Sequence, residues 1–246
     1  MDSSMIIDLR RSLELGDYRP DEALKSLREY REILASIFDN DRRRTKLRVA
    51  DMLDHGVGRY WQESGSCLFM LSGRNEGGVS SIKSWLSPVA VDLTLDLLQE
   101  TRKVAFEICN ESSTLESVLS RLIFQLLERN PGVVRKADEW YSIQSLITRH
   151  GTERDEALAE ALLKVIKLQK EPVFIILDRP ELSDENSVTD FASTMLPIVE
   201  QAEESLKVLI VHRAELWDWE ENKRAIVRQG MSPEICRVIR IDQERL

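Results

Sequence analysis

Five short apolar runs constrain this chain more than any other feature. Cys67–Leu71 (CLFML), Lys103–Ile108, Val173–Leu177 (VFIIL), Leu206–Val211 and Cys236–Ile241 are each of strand length, and helical patterns lie between them. Strands joined through helices pair parallel, because only a crossover of that length returns the chain to the same edge. The predicted fold class is therefore α/β: three layers around a five-stranded parallel sheet, with an N-terminal helical extension.

The extension covers residues 1–60 and the α/β part residues 61–246. Within the extension, Asp21–Phe38 carries Leu24, Leu27, Tyr30, Ile33, Leu34 and Ile37 at helical spacing just after Pro20. A second helix is predicted over Thr45–Leu53, ending near Gly56 and Gly58. Farther along, Ser113 and Glu116 have capping-box spacing ahead of a helix whose apolar face includes Leu115, Val118, Leu119, Leu122 and Ile123. Asn130–Pro131 stops it, and further helices are predicted over 153–168 and 188–202.

Composition excludes several functions. The net charge of −9 and pI near 5.1 argue against a sequence-independent nucleic-acid binder, which needs a basic surface to neutralise phosphates. One basic cluster, Arg42, Arg43, Arg44, Lys46 and Arg48, is flanked by acidic residues and reads as a solvated helix face. Cys67, Cys109 and Cys236 are too dispersed for a zinc site or a disulfide framework, and His55, His150 and His212 suggest no metal site. The N-terminus lacks the apolar stretch of a signal peptide, and no apolar run approaches a membrane span. A cytoplasmic protein with no nucleic-acid or membrane partner is the expectation.

The candidate site begins where CLFML runs into SGRNEGGVSSIKSWL, residues 72–86. A strand, a glycine-rich turn and a helix opening with serines form the context of a P-loop, whose backbone N–H groups wrap phosphates at a helix N-terminus. Gly73 and Gly78 stand at the glycine positions, and Ser80 and Ser81 at the hydroxyl positions. The lysine position is Val79, which supplies no charge to a phosphate, and Glu76 adds a repulsive one. Downstream, VFIILD ends in Asp178, the Walker B arrangement in which a carboxylate helps hold Mg²⁺, and LKVLIVHR ends in Arg213, placed to face a γ-phosphate. Each residue has a plainer alternative: the glycines shape a turn, Ser80 caps a helix, Asp178 caps a helix or pairs with Arg179, and Arg213 joins a surface ion pair.

Together these elements resemble the STAND class of P-loop NTPases, in particular NACHT-type domains of fungal receptor-like proteins and the nephrocystin-3-like N-terminal type. SGRNEGGVSSIKSWL is similar to the family's SGKPGSGKSTLMKFL, STLESVLSRLIFQLLERNP to its Leu-rich helix, VFIILDRPEL to its strand followed by Asp-x-Leu-Asp-Glu, and LKVLIVHRAE to its LKVLITSRPE. The likeness covers about residues 35–246. It implies that Gly73, Gly78, Ser80, Ser81, Asp178 and Arg213 keep family positions, and that Val79, Glu181 and Leu182 depart from the lysine, second acidic and catalytic acidic positions. It also implies that the strand bearing the arginine lies between the P-loop strand and the Walker B strand. A complete switch receptor is not expected within these residues. The expected function is a non-hydrolysing pseudo-NTPase that works by binding proteins, NACHT-type receptors or a second copy of itself among the candidates. The alternative is an ATP- or GDP-binding switch with weak or no hydrolysis. No catalytic or metal-binding residue and no cofactor is expected, beyond a weakly bound ATP or ADP with Mg²⁺ if the switch reading holds.

Overall fold

The computed structural model describes residues 3–38, 61, 65–73, 84–133, 137–183, 188–202, 206–213 and 236–241. The predicted helix at 45–53, the basic cluster at 42–48, and Trp217 and Trp219 lie outside them. Five strands pair in parallel: β1 (Cys67–Gly73), β2 (Lys103–Ile108), β3 (Val173–Asp178), β4 (Leu206–Arg213) and β5 (Cys236–Ile241). Their order is β2-β3-β4-β1-β5, so β4, which ends in Arg213, lies between β1 and β3.

Strand side chains alternate between two cores, as the pleat requires. Leu68, Met70, Val173, Ile175, Leu177, Val208 and Ile210 enter one core. Cys67, Phe69, Leu71, Phe174, Ile176, Leu209 and Val211 enter the other. Every residue of β1 and β3 is buried, which explains why these strands read as unbroken apolar runs rather than alternating ones. Helices α4 (Leu115–Arg129), α5 (Ala137–Ile147), α6 (Arg154–Lys167) and α7 (Val188–Gln201) cover the first face. Helix α3 (Ser87–Gln99) covers the second.

The N-terminal helices complete both layers. Helix α1 (Ser3–Ser12) and the turn after it bury Leu9, Leu13 and Leu15 in the first core, whereas α2 (Pro20–Phe38) buries Leu27 and Leu34 in the second. Burying each such leucine contributes about 1.5–3 kcal/mol. The expected apolar face of α2 packs on α3 with Leu24, Tyr30 and Ile37 half-buried beside those two, and Arg31 Nε reaches Asp92 at 2.7 Å. Ile33, at helical spacing with this face, is exposed. Between α1 and α2 the chain reverses through Glu14 and Gly16, both at positive φ (54° and 52°). Arg10 donates to the carbonyls of Gly16 and Tyr18 and so holds the reversal shut.

That crossing guards the edge strand β2. A free strand edge offers unpaired N–H and C=O groups to other chains. Here Gln125 of α4 pairs with both: its amide nitrogen donates to Phe106 O at 2.8 Å, and its amide oxygen accepts from Phe106 N at 3.1 Å. Arg129 donates to Val104 O. Gln125 also donates to the Tyr18 hydroxyl at 2.8 Å, and the Tyr18 ring packs edge-on against Phe124 beneath the Arg121 guanidinium.

One cap differs from the sequence expectation. The capping box of α4 is Thr114 with Ser117, each side chain bonding the other's backbone N–H, and not Ser113 with Glu116. Ser113 instead accepts from Asn110 N, and Glu116 pairs with Arg154. Two overlapping patterns were present, and the Asn110–Ser113 turn decided which one entered the helix. Replacing Gln125 with Leu removes both bonds to Phe106 while keeping volume. The expected loss is about 1–3 kcal/mol by chemical denaturation, with increased self-association. An unchanged midpoint in a monomeric variant refutes this edge-capping role.

Candidate functional site at the carboxyl ends of the strands

Three of the six predicted site residues share one end of the sheet. Gly73 closes β1 in register with Arg213 at the end of β4, and Asp178 closes β3 opposite Val211. Gly78, Ser80 and Ser81, together with Glu76 and Val79, lie outside the described residues. Ligands of open α/β sheets bind at this carboxyl end, where connections leave β1 and its neighbours in opposite directions.

The hydroxyl beside Asp178 is not one of those singled out from the sequence. Residues 84–86 form a turn, and α3 opens at Ser87. The Ser87 hydroxyl donates to Asp178 Oδ1 at 3.0 Å. The Ser87-Pro88 dipeptide ahead of an apolar stretch carries the start signal, since proline suits the first helical turn. Ser84 stays in the turn, where its Oγ accepts from Leu86 N at 3.2 Å.

Beyond Asp178 the chain turns sharply. Arg179 is left-handed (φ 62°, ψ 48°), a conformation that costs a non-glycine residue about 1–2 kcal/mol. Its N–H donates to Val211 O at 2.8 Å, which ties the strained residue to β4. The turn leads into a 3₁₀ segment, Pro180–Leu182, and sets Glu181 Oε1 3.7 Å from Arg179 Nε with both side chains 2% exposed. Ser183 fastens the far side by donating to Ser113 O at 2.5 Å. Glu181 and Leu182 thus occupy a short, partly buried 3₁₀ helix rather than an open strand extension.

Tyr30 of α2 is the second residue that sequence reading did not place here. Its hydroxyl is buried beside Asp178, Ser87 and Arg179. Burial foremost, then Asp178, pushes the phenol far above its ordinary range. In sequence Tyr30 is only one more member of an amphipathic stripe.

The electrostatics disfavour ionised carboxyls. Burial raises Asp178 to about 7, with Glu181 adding to the rise and Arg179 and Ser87 opposing it. Glu181 is raised by burial as well, against the pull of Arg179 and Arg213. His212 is held to about 4 by burial, hence neutral. Asp178 is 1% exposed, and its Oδ2 is buried with no hydrogen-bond partner among the described residues. Among the described residues, Asp178 would have to be uncovered and ionised before its carboxylate could hold a nucleotide-bound Mg²⁺. Among the described residues no group of three metal-ligating side chains occurs, and no helix is long and apolar enough to cross a membrane.

Residues 49–213 match the family described as nephrocystin 3, N-terminal. The chain belongs to that family. The match ends at Arg213, the last residue of β4, and excludes α1 and α2; the family region therefore holds Asp178 and Ser87, whereas Tyr30 comes from outside it. No curated protein sequence matches the chain. Among solved structures, Drosophila ORC bound to poly(dA/dT) DNA and Cdc6 is similar at 12% identity and TM-score 0.42, covering 98% of this chain and 34% of that one. Drosophila ORC bound to DNA is similar at 13% identity and TM-score 0.42, covering 99% and 35%. This family member spans about a third of the length of those two chains.

Because folding raises the Asp178 pKa from 3.8 to about 7, the native state holds its proton longer than the unfolded chain does. The contribution is full below pH 4 and is lost as pH rises through 7, an effect on the order of 4 kcal/mol. Asp178→Asn mimics the protonated carboxyl and can still accept from Ser87. Its melting temperature should exceed that of the parent at pH 8 and converge with it near pH 4. A variant less stable than the parent at pH 8 overturns this assignment.

Proposed function

We propose that this protein is a non-hydrolysing pseudo-NTPase of the STAND type, close to NACHT domains, that acts as a regulatory module through protein binding. The observation that carries the reading is the sequestered state of Asp178: buried, bonded to Ser87, neighboured by Tyr30 and holding its proton up toward neutral pH. Three sequence departures point the same way. Val79 removes the phosphate-facing charge, Glu76 adds repulsion, and Leu182 replaces the acid expected to activate water. The strand order supports the P-loop NTPase scaffold, since β4 with Arg213 separates β1 from β3 as the resemblance implied.

The second reading, a switch that binds ATP or GDP, is favoured by one feature. Gly73, Asp178 and Arg213 do share one end of the sheet, so a nucleotide that displaced Tyr30 would find an acid and a cation there. In that case the Ser87 hydroxyl and the Asp178 carboxylate are the described groups that would hold Mg²⁺, whose bound charge would offset the phosphates.

Calorimetric titration with Mg-ATP and Mg-ADP separates the two. The expected outcome is no binding at micromolar concentrations and no phosphate release above background. Val79→Lys with Glu76→Gly should raise affinity, and hydrolysis should further require Leu182→Glu. Micromolar affinity in the parent protein selects the switch, and measurable turnover rejects both readings.

A further inference from the structure

A groove of about 760 Å³ runs between α2, the end of α3 and the start of β2. It lies on the α2–α3 side of the sheet, and its charge is opposite to that of the chain. Arg28, Arg31, Arg102, Lys103 and Arg129 line it against one carboxylate, Glu32, in a protein whose net charge is −9. Arg31 and Arg102 are engaged by Asp92 and Glu100. Arg28 and Lys103 have no carboxylate within ion-pair distance among the described residues. Arg129 is half-buried, and burial depresses its pKa; its guanidinium donates to the Val104 carbonyl rather than to an acid. Glu128 and Tyr18 offset only part of that desolvation, and a partly desolvated guanidinium gains from an incoming anion.

The groove is not merely basic. Leu24, Leu95 and Leu98 line it too, each half-buried. A small inorganic anion has no use for leucines, and a nucleic-acid backbone offers them nothing apolar. A peptide with apolar residues at helical spacing, flanked by carboxylates, matches both the leucines and the cations, in the manner of a helix seated in a groove.

We infer that this groove docks an acidic amphipathic segment of a partner protein. The inference extends the protein-binding reading above but rests on a different part of the molecule from Asp178. Leu27 and Leu34 of α2 share a core with Leu93 and Leu97 of α3, and the Arg31–Asp92 pair bridges the two helices, so the groove is preformed and little ordering is needed on this side of the interface. Arg28 and Lys103 supply the long-range attraction, which salt should screen.

The test is fluorescence anisotropy on the full chain. The probe is a labelled peptide of about fourteen residues, with Leu at i, i+4 and i+7 and Glu elsewhere. The expected result is saturable binding that weakens with salt. Replacing the probe's leucines by serine, or making Arg28→Glu/Lys103→Glu in the protein, should each weaken binding about tenfold or more. Arg28→Ala should act in the same direction with a smaller effect, and both variants should melt at the parent temperature because the changed side chains do not enter either core. The proposal is overturned by no binding, by equal binding of the serine probe or of a labelled single-stranded oligonucleotide, or by indifference to the charge reversal. Salt-sensitive self-association abolished by the reversal also overturns it, since the occupant would then be a second copy. The Mg-ATP titration reads the other site, so either proposal can fail alone.

Discussion

A parallel sheet with apolar side chains on both faces must be covered on both, and among the described residues the two coverings are unequal. Helices α4, α5, α6 and α7 lie over one face, whereas α3 supplies the other side from the strand crossovers. Helix α2 fills the shortfall. Leu27 and Leu34 enter the core beside Trp61, Trp85 and Phe69, so α2 is a structural part of the second layer. Helix α1 does the same for the first layer, and the reversal between them wraps the free edge of β2.

The state of the carboxyl end follows from this arrangement. Because α2 is needed for burial, its Tyr30 is carried to Asp178, Ser87 and Arg179. Desolvation then outweighs the nearby guanidinium and the serine hydroxyl, and Asp178 keeps its proton toward neutral pH. Strain at Arg179 and the buried Glu181 belong to the same turn. A turn that carries a left-handed arginine sits above its conformational minimum. That cost is borne by the two leucine cores on either side.

Much of the fold was legible in the sequence because burial on both faces leaves a direct signature. Val173–Leu177 and Leu206–Val211 are strands wherever they pair, and their lengths and spacing imply crossovers. The apolar stripe of α2 was equally readable, apart from Ile33, which is exposed. Two local features were not. The capping box of α4 was displaced by one residue because Ser113 serves a turn instead. Ser87 was not singled out, because no local pattern marks a serine beyond the glycine-rich stretch as the partner of an aspartate 91 positions away.

By itself, then, the sequence determined the strands, their parallel pairing and the departures at Val79 and Leu182, since each depends on residue type and local spacing. Only the tertiary structure decided that Asp178 meets Ser87 and Tyr30, 91 and 148 positions away in the chain. It also decided that dispersed arginines from α2, α4 and the α3–β2 turn line one groove. Such contacts are fixed by which faces must be buried together. Solvent exclusion acts on the assembled layers, and no local pattern in the chain records which distant side chains it brings into contact.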